Sequence, residues 1–176
     1  MEMVAKKYQY IGAFDNISGG LRFGDPCYHN TNPYMLCRAK AKKGVWIVKA
    51  VYGDPFDCKD KVVVGLQVHH IDFDSSKEYR QDADSFPVES GTAIVFDKES
   101  ISDDTIDFDS NDTYPIDPDD EWYSRVICMA QNSDFDVGIL ECGTISYTAG
   151  GDGFYSAIVL YNSKNEAELI ELSFAK

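Results

Sequence analysis

The run His69-His70-Ile71-Asp72-Phe73-Asp74 holds the residue types closest to a reactive set. If the extended segment entering it continued, His70, Asp72 and Asp74 would share one face. There the carboxylates could hold a divalent ion, and the imidazole could move a proton for a polarised water. A metal-dependent hydrolase is the enzyme class such a trio would serve. The run has no further ligand in sequence, however, and polar residues are common where a strand enters a loop. A second candidate is calcium. Asp107, Asp109 and Asn111 have the DxDxN spacing that supplies the first ligands of some calcium loops. The full EF-hand pattern fails, because its glycine position is Asp112 and its bidentate glutamate position is Pro118.

That spacing lies within Asp97–Glu121, which holds eleven acidic residues and one base, Lys98. Four readings stay open for it: a solvated loop extended by its own repulsion, a calcium-stabilised structural loop, a charged face for a basic partner, and a mimic of the DNA phosphate array. Any cofactor would then be calcium or another divalent metal.

Two glycine-bearing loops could instead bind a ligand. Gly24-Asp25-Pro26-Cys27-Tyr28-His29 places a cysteine two residues from a histidine. On an extended chain these would lie ~6.6 Å apart along it, too far for a direct hydrogen bond that would activate the thiol. A turn set by glycine and proline is the simpler reading. A zinc site from Cys27, His29 and Cys37 matches no familiar ligand spacing. Between Tyr147 and Tyr155 three glycines and Asp152 suit a hairpin turn; no lysine follows, and the next element is a strand, so a phosphate cradle fits poorly. A pocket between these loops would use Asp25, Cys27, Tyr28, His29, Asp152 and Tyr155, with Tyr28 or Tyr155 stacking on the ligand.

The elements that must position these residues read as strands. Gly44–Tyr52 alternates with apolar residues on both faces, as in a central strand. Val62–His70 alternates one-sidedly, with Val62, Val64, Leu66 and Val68 inward and Gly65, Gln67 and His69 outward. Gly91–Phe96, Val137–Tyr147, Phe154–Tyr161 and Glu168–Phe174 add four more strands, and Tyr8–Ala13 and Gly20–Phe23 short ones. One helix is expected around 118–130. Asp117 serves as N-cap, Pro118 opens it, and Trp122, Val126 and Met129 form the buried stripe. The expected fold is mainly β, one domain over 1–176, with antiparallel or mixed sheets that a sandwich would close.

Composition bounds the rest. The chain is 44% hydrophobic and 13% aromatic, too apolar for a wholly disordered protein. At 176 residues it should bury roughly 70% of its unfolded surface. A formal charge of −14 disfavours direct nucleic-acid binding and anionic membranes. The densest basic run, Arg38–Lys43, precedes a strand and is expected to face solvent. No apolar stretch approaches a membrane span, and MEMVAKKYQY shows no signal-like apolar region, so a cytoplasmic location is expected. Five cysteines, an odd number without CxxC spacing, read as free thiols.

Gly24-Asp25-Pro26-Cys27-Tyr28, Gly151-Asp152-Gly153-Phe154-Tyr155 and the closing Leu169–Phe174 segment resemble a loosely defined bacterial and phage family of unknown function. Its members end with a strand, a Gly-Asp-Gly-x-Tyr turn, another strand and a short final strand. Trp46 and Gly91–Asp97 are similar to that pattern too. The resemblance implies a β-rich domain and supplies no activity, cofactor or catalytic residue. The leading expectation is a non-enzymatic binding or accessory protein, acting through its acidic surface on a basic protein or on a small ligand. The hydrolase, the calcium-stabilised protein and the phosphate mimic are alternatives.

Overall fold

The computed structural model describes residues 7–28, 33–53, 62–97, 99, 121–131, 133 and 136–174. Among the described residues the fold is mainly β, with two antiparallel sheets, one short α-helix and a 3-10 turn at Pro33–Met35. The strands are β1 Lys7–Asn16, β2 Gly20–Gly24, β3 Cys37–Lys40, β4 Gly44–Gly53, β5 Val62–His70, β6 Arg80–Val88, β7 Thr92–Phe96, β8 Val137–Leu140, β9 Gly143–Tyr147, β10 Gly153–Tyr161 and β11 Ala167–Ser173; the helix α1 is Glu121–Gln131. One sheet has six strands in the order β1-β4-β5-β11-β10-β6, the other five in the order β3-β2-β7-β9-β8.

The inner rows of the two sheets meet as a sandwich. Phe14, Trp46, Val48, Leu66, Val68, Phe86 and Tyr155 from the larger sheet pack with Leu21, Phe23, Ala93 and Val95 from the smaller. Phe23 and Phe86 meet edge to face with centroids 6.3 Å apart, and Tyr155 meets Phe174 at 5.7 Å. Such contacts are favoured by the ring quadrupoles beyond the area they bury. A third layer lies behind the smaller sheet. Val126 and Ala130 of α1 pack on Ile94, Phe96, Leu140 and Ile145, so β7 is buried on both faces. Met129 borders this cluster, whereas Asp117 and Pro118, the expected start of the helix, fall outside the described residues.

Two expectations change, and two strands were not expected. Val137–Tyr147 is two strands, because the chain turns at Glu141–Cys142 and β8 pairs back on β9. Gly143 permits the close approach to β7 there, since a Cβ would stand 2.6 Å from the Val95 carbonyl oxygen. In β5 the inner row is Val63, Leu66, Val68 and His70, while Val62 and Val64 are only half-buried. The pairing steps from Val51↔Gly65 to Tyr52↔Val63, so Val64 is an extra residue that switches the alternation. Finally, β3 and β6 carry no strong apolar alternation: β6 is exposed from Arg80 to Ser85. Edge strands need no such pattern, and Pro87 in β6 is the residue such a strand tolerates.

Candidate functional site

β5 ends at His70, so His70, Asp72 and Asp74 do not continue along one strand face. The His70 ring is held at both nitrogens. Nδ1 accepts the Asp72 backbone N–H at 3.1 Å, and Nε2 lies 3.0 Å from the Lys43 carbonyl oxygen. An acceptor at Nδ1 leaves the proton on Nε2, donating to Lys43. The ring also stands edge-on to Trp46, whose Nε1 donates to the Lys42 carbonyl at 2.9 Å. Gly44, at φ 118°, is required beneath it, because a Cβ there would come 3.0 Å from His70 Nε2. His70 thus fastens the end of β5 to the turn before β4.

The two aspartates turn to other tasks. Asp72 is exposed and pairs with Lys42 Nζ at 3.0 Å, which holds its carboxyl below the usual range. Asp74 Oδ1 accepts from the Ser76 hydroxyl at 2.7 Å and the Ser76 N–H at 3.0 Å, closing its own turn. Among the described residues no group of three or more His, Cys, Asp or Glu side chains gathers as metal ligands. Asp107, Asp109 and Asn111 lie outside the described residues.

The two glycine-bearing loops do meet at one end of the sandwich, through a third loop between them. Asp25 is fully buried. Its carboxylate accepts the N–H groups of Cys27 (2.8 Å), Glu89 (2.6 Å) and Ser90 (2.8 Å) and the Ser90 hydroxyl (2.8 Å). The next residue, Gly91, accepts the Thr148 N–H at 2.9 Å, which ties the β6–β7 turn to the β9–β10 turn. Asp25 therefore organises backbone and has no face open to a ligand. Tyr155 is not a stacking platform either: it is 3% exposed, and its hydroxyl donates to the Gly151 carbonyl at 2.7 Å. Tyr28 is half-buried, and burial together with the Glu89 carboxylate pushes its hydroxyl up to about 12. Asp152 is exposed, Cys27 is half-buried, and His29 lies outside the described residues.

Asp97 mirrors Asp25. β2 runs into Asp25, which binds the turn entering β7, and β7 runs into Asp97, which binds the turn entering β2. Asp97 Oδ2 accepts Ile17 N–H at 2.8 Å and Ser18 N–H at 2.7 Å. These reciprocal clamps fix the antiparallel pair at both ends.

A polar cleft of about 260 Å³ opens beside Lys42, Tyr79, Asn162 and Glu168. Glu168 accepts from Asn162 Nδ2 at 2.9 Å and the Tyr79 hydroxyl at 3.0 Å, and pairs with Lys42 at 3.4 Å. Burial raises its carboxyl, but these partners outweigh burial and hold it below the ordinary value. Opposite charges and donors satisfy one another here, which is the arrangement of a fastening network.

The free edge of the larger sheet is different. β6 pairs only with β10 among the described residues, and its outer edge carries Asp82 and Asp84, both exposed. They lie opposite Val159 and Ala157, so they point to the inner side of the sheet where the smaller sheet no longer covers it. Arg80 lies over the Tyr161 ring at 4.4 Å and pairs with Asp82. Across the opening, Cys37 of β3 has its thiol raised to about 11 by burial and by Asp84, which keeps it protonated at neutral pH. Sequence reasoning missed this edge because its composition resembles a loop; Pro87 followed by Val88 was the one signal.

No protein family, no curated protein and no solved structure matches the chain. No helix of the described residues is long and apolar enough to cross a membrane.

Proposed function

We propose that the chain is a non-enzymatic binding protein that receives an extended, basic segment of a partner protein along β6. The observation that carries this reading is the combination of a strand edge unpaired among the described residues with exposed Asp82 and Asp84 at the mouth of the sandwich. A segment adding to that edge gains main-chain hydrogen bonds, and its lysines or arginines meet the two aspartates. The overall charge of −14 steers such a partner over longer range.

Inward-pointing charges on an edge strand also guard against self-association, and the test separates the two roles. Asp82→Lys with Asp84→Lys keeps the edge charged, so the variant stays as monodisperse as the parent. Titration with an eight-residue Lys/Val-alternating peptide should show binding weakened at least about tenfold in the variant, ~1.4 kcal/mol, and binding to the parent should fall with added salt. Equal affinity of parent and variant, or equal affinity for a Glu/Val peptide, would contradict the proposal.

A further inference from the structure

The register of the smaller sheet creates a cationic cleft in this acidic chain. β2 and β3 pair Arg22 directly with Arg38 and Gly20 with Lys40. Their neighbours Leu21, Phe23 and Ala39 are buried in the core, so Arg22, Arg38 and Lys40 all project from the opposite face. They line a cleft of about 260 Å³ with Ser18, Gly20 and Glu99.

Two guanidiniums set opposite each other across antiparallel strands, with Cβ atoms about 5 Å apart, repel and destabilise the pair unless an anion lies between them. Among the described residues no such anion is bonded to them. Arg22 Nη1 is buried without a hydrogen-bond partner, and neither arginine forms an ion pair with another described residue. Arg38 lies over the Tyr34 ring at 5.8 Å and also lines the cleft. Burial, then Arg38, lowers the Arg22 proton affinity, and Glu99 opposes both. Opposite Lys40, Gly20 leaves room: a Cβ there would meet only Ser18 Oγ, at 3.7 Å.

We infer that the cleft between Arg22, Arg38 and Lys40 binds a phosphate group. A tetrahedral dianion can accept from both guanidinium forks and from the ammonium at once, and it removes the repulsion between the arginines. At roughly 30 Å³ per water, the cleft has the volume of eight or nine waters, enough for a phosphate and a small substituent. A duplex is a poor source of that phosphate, since it would bring a long anionic rod against the whole chain's negative field. The Ser18 hydroxyl lines the same wall, and Glu99 sits where it competes with an incoming anion.

The test is titration of the full chain with inorganic phosphate at pH 7.5 and constant ionic strength set with sodium chloride, read by calorimetry and by amide shifts. Saturable binding with shifts at Gly20, Arg22 and Arg38 is expected. Arg38→Ala, at an exposed position that leaves the core intact, should weaken binding at least about fivefold, and Glu99→Gln should strengthen it. Adenosine monophosphate and a phosphoserine hexapeptide, titrated in parallel, identify the source of the phosphate by whichever improves on phosphate alone. A response no larger than that to chloride, or identical affinity in the parent, Arg38→Ala and Glu99→Gln, would overturn the assignment.

Discussion

Asp25 and Asp97 show how a carboxylate can be chosen for backbone rather than for chemistry. Each ends a strand, is fully buried, and accepts N–H groups from the turn entering the neighbouring strand. Hydrogen bonds to a charged acceptor are worth more than neutral ones, and several donors would be orphaned together if it were removed. Asp25→Ala should therefore cost at least about 3 kcal/mol in urea unfolding, whereas Asp152→Ala, on an exposed turn, should stay within ~0.5 kcal/mol. Equal effects would refute the clamp. Two titrating groups give a second check. Burial holds His69 below its ordinary 6.5, and its buried Nε2 has no partner to accept a new proton. A folded-state value below the unfolded one means the stability is complete above pH 6.5 and falls as the pH drops through the folded value. Glu168 behaves likewise but lower, with stability present above its ordinary 4.5 and lost on acidification through its depressed value. His69→Gln should flatten the stability curve just below pH 6.5, and Glu168→Gln should alter it only below about 4.5. Matching pH profiles for the two variants would contradict both assignments.

At the level of elements, what could be read in advance depended on burial on two sides. β4 was legible because Trp46, Val48 and Ala50 alternate with Val45, Ile47 and Val51, an apolar pattern that few other structures satisfy. Helix α1 was legible from Val126 and Met129 at helical spacing. The parity of β5 was not, since an extra residue at Val64 leaves no compositional mark. β6 hid for the opposite reason, being an exposed edge whose residues answer to solvent. The candidate sites followed the same division. Asp25 could be picked out as a special turn residue, but its partners Glu89 and Ser90 lie 64 and 65 positions away. Arg22 and Arg38 become neighbours only through strand pairing. Local spacing put His70, Asp72 and Asp74 together because it extended the strand by four residues past its end.

For the whole molecule, the sandwich leaves two unlike surfaces that its sequence charge alone does not distinguish. The face of the smaller sheet near β3 is basic at Arg22, Arg38 and Lys40, while the edge of the larger sheet is acidic at Asp82 and Asp84. The proposed partner segment should find the second and avoid the first. Strand addition is the central claim, and amide exchange reads it directly, because unpaired edge amides exchange far faster than those in a ladder. With the Lys/Val peptide at saturation, outward-facing amides between Arg80 and Ser85 should gain strong protection while those of β3 stay unchanged. Unchanged exchange in β6 while the peptide is demonstrably bound would contradict the account.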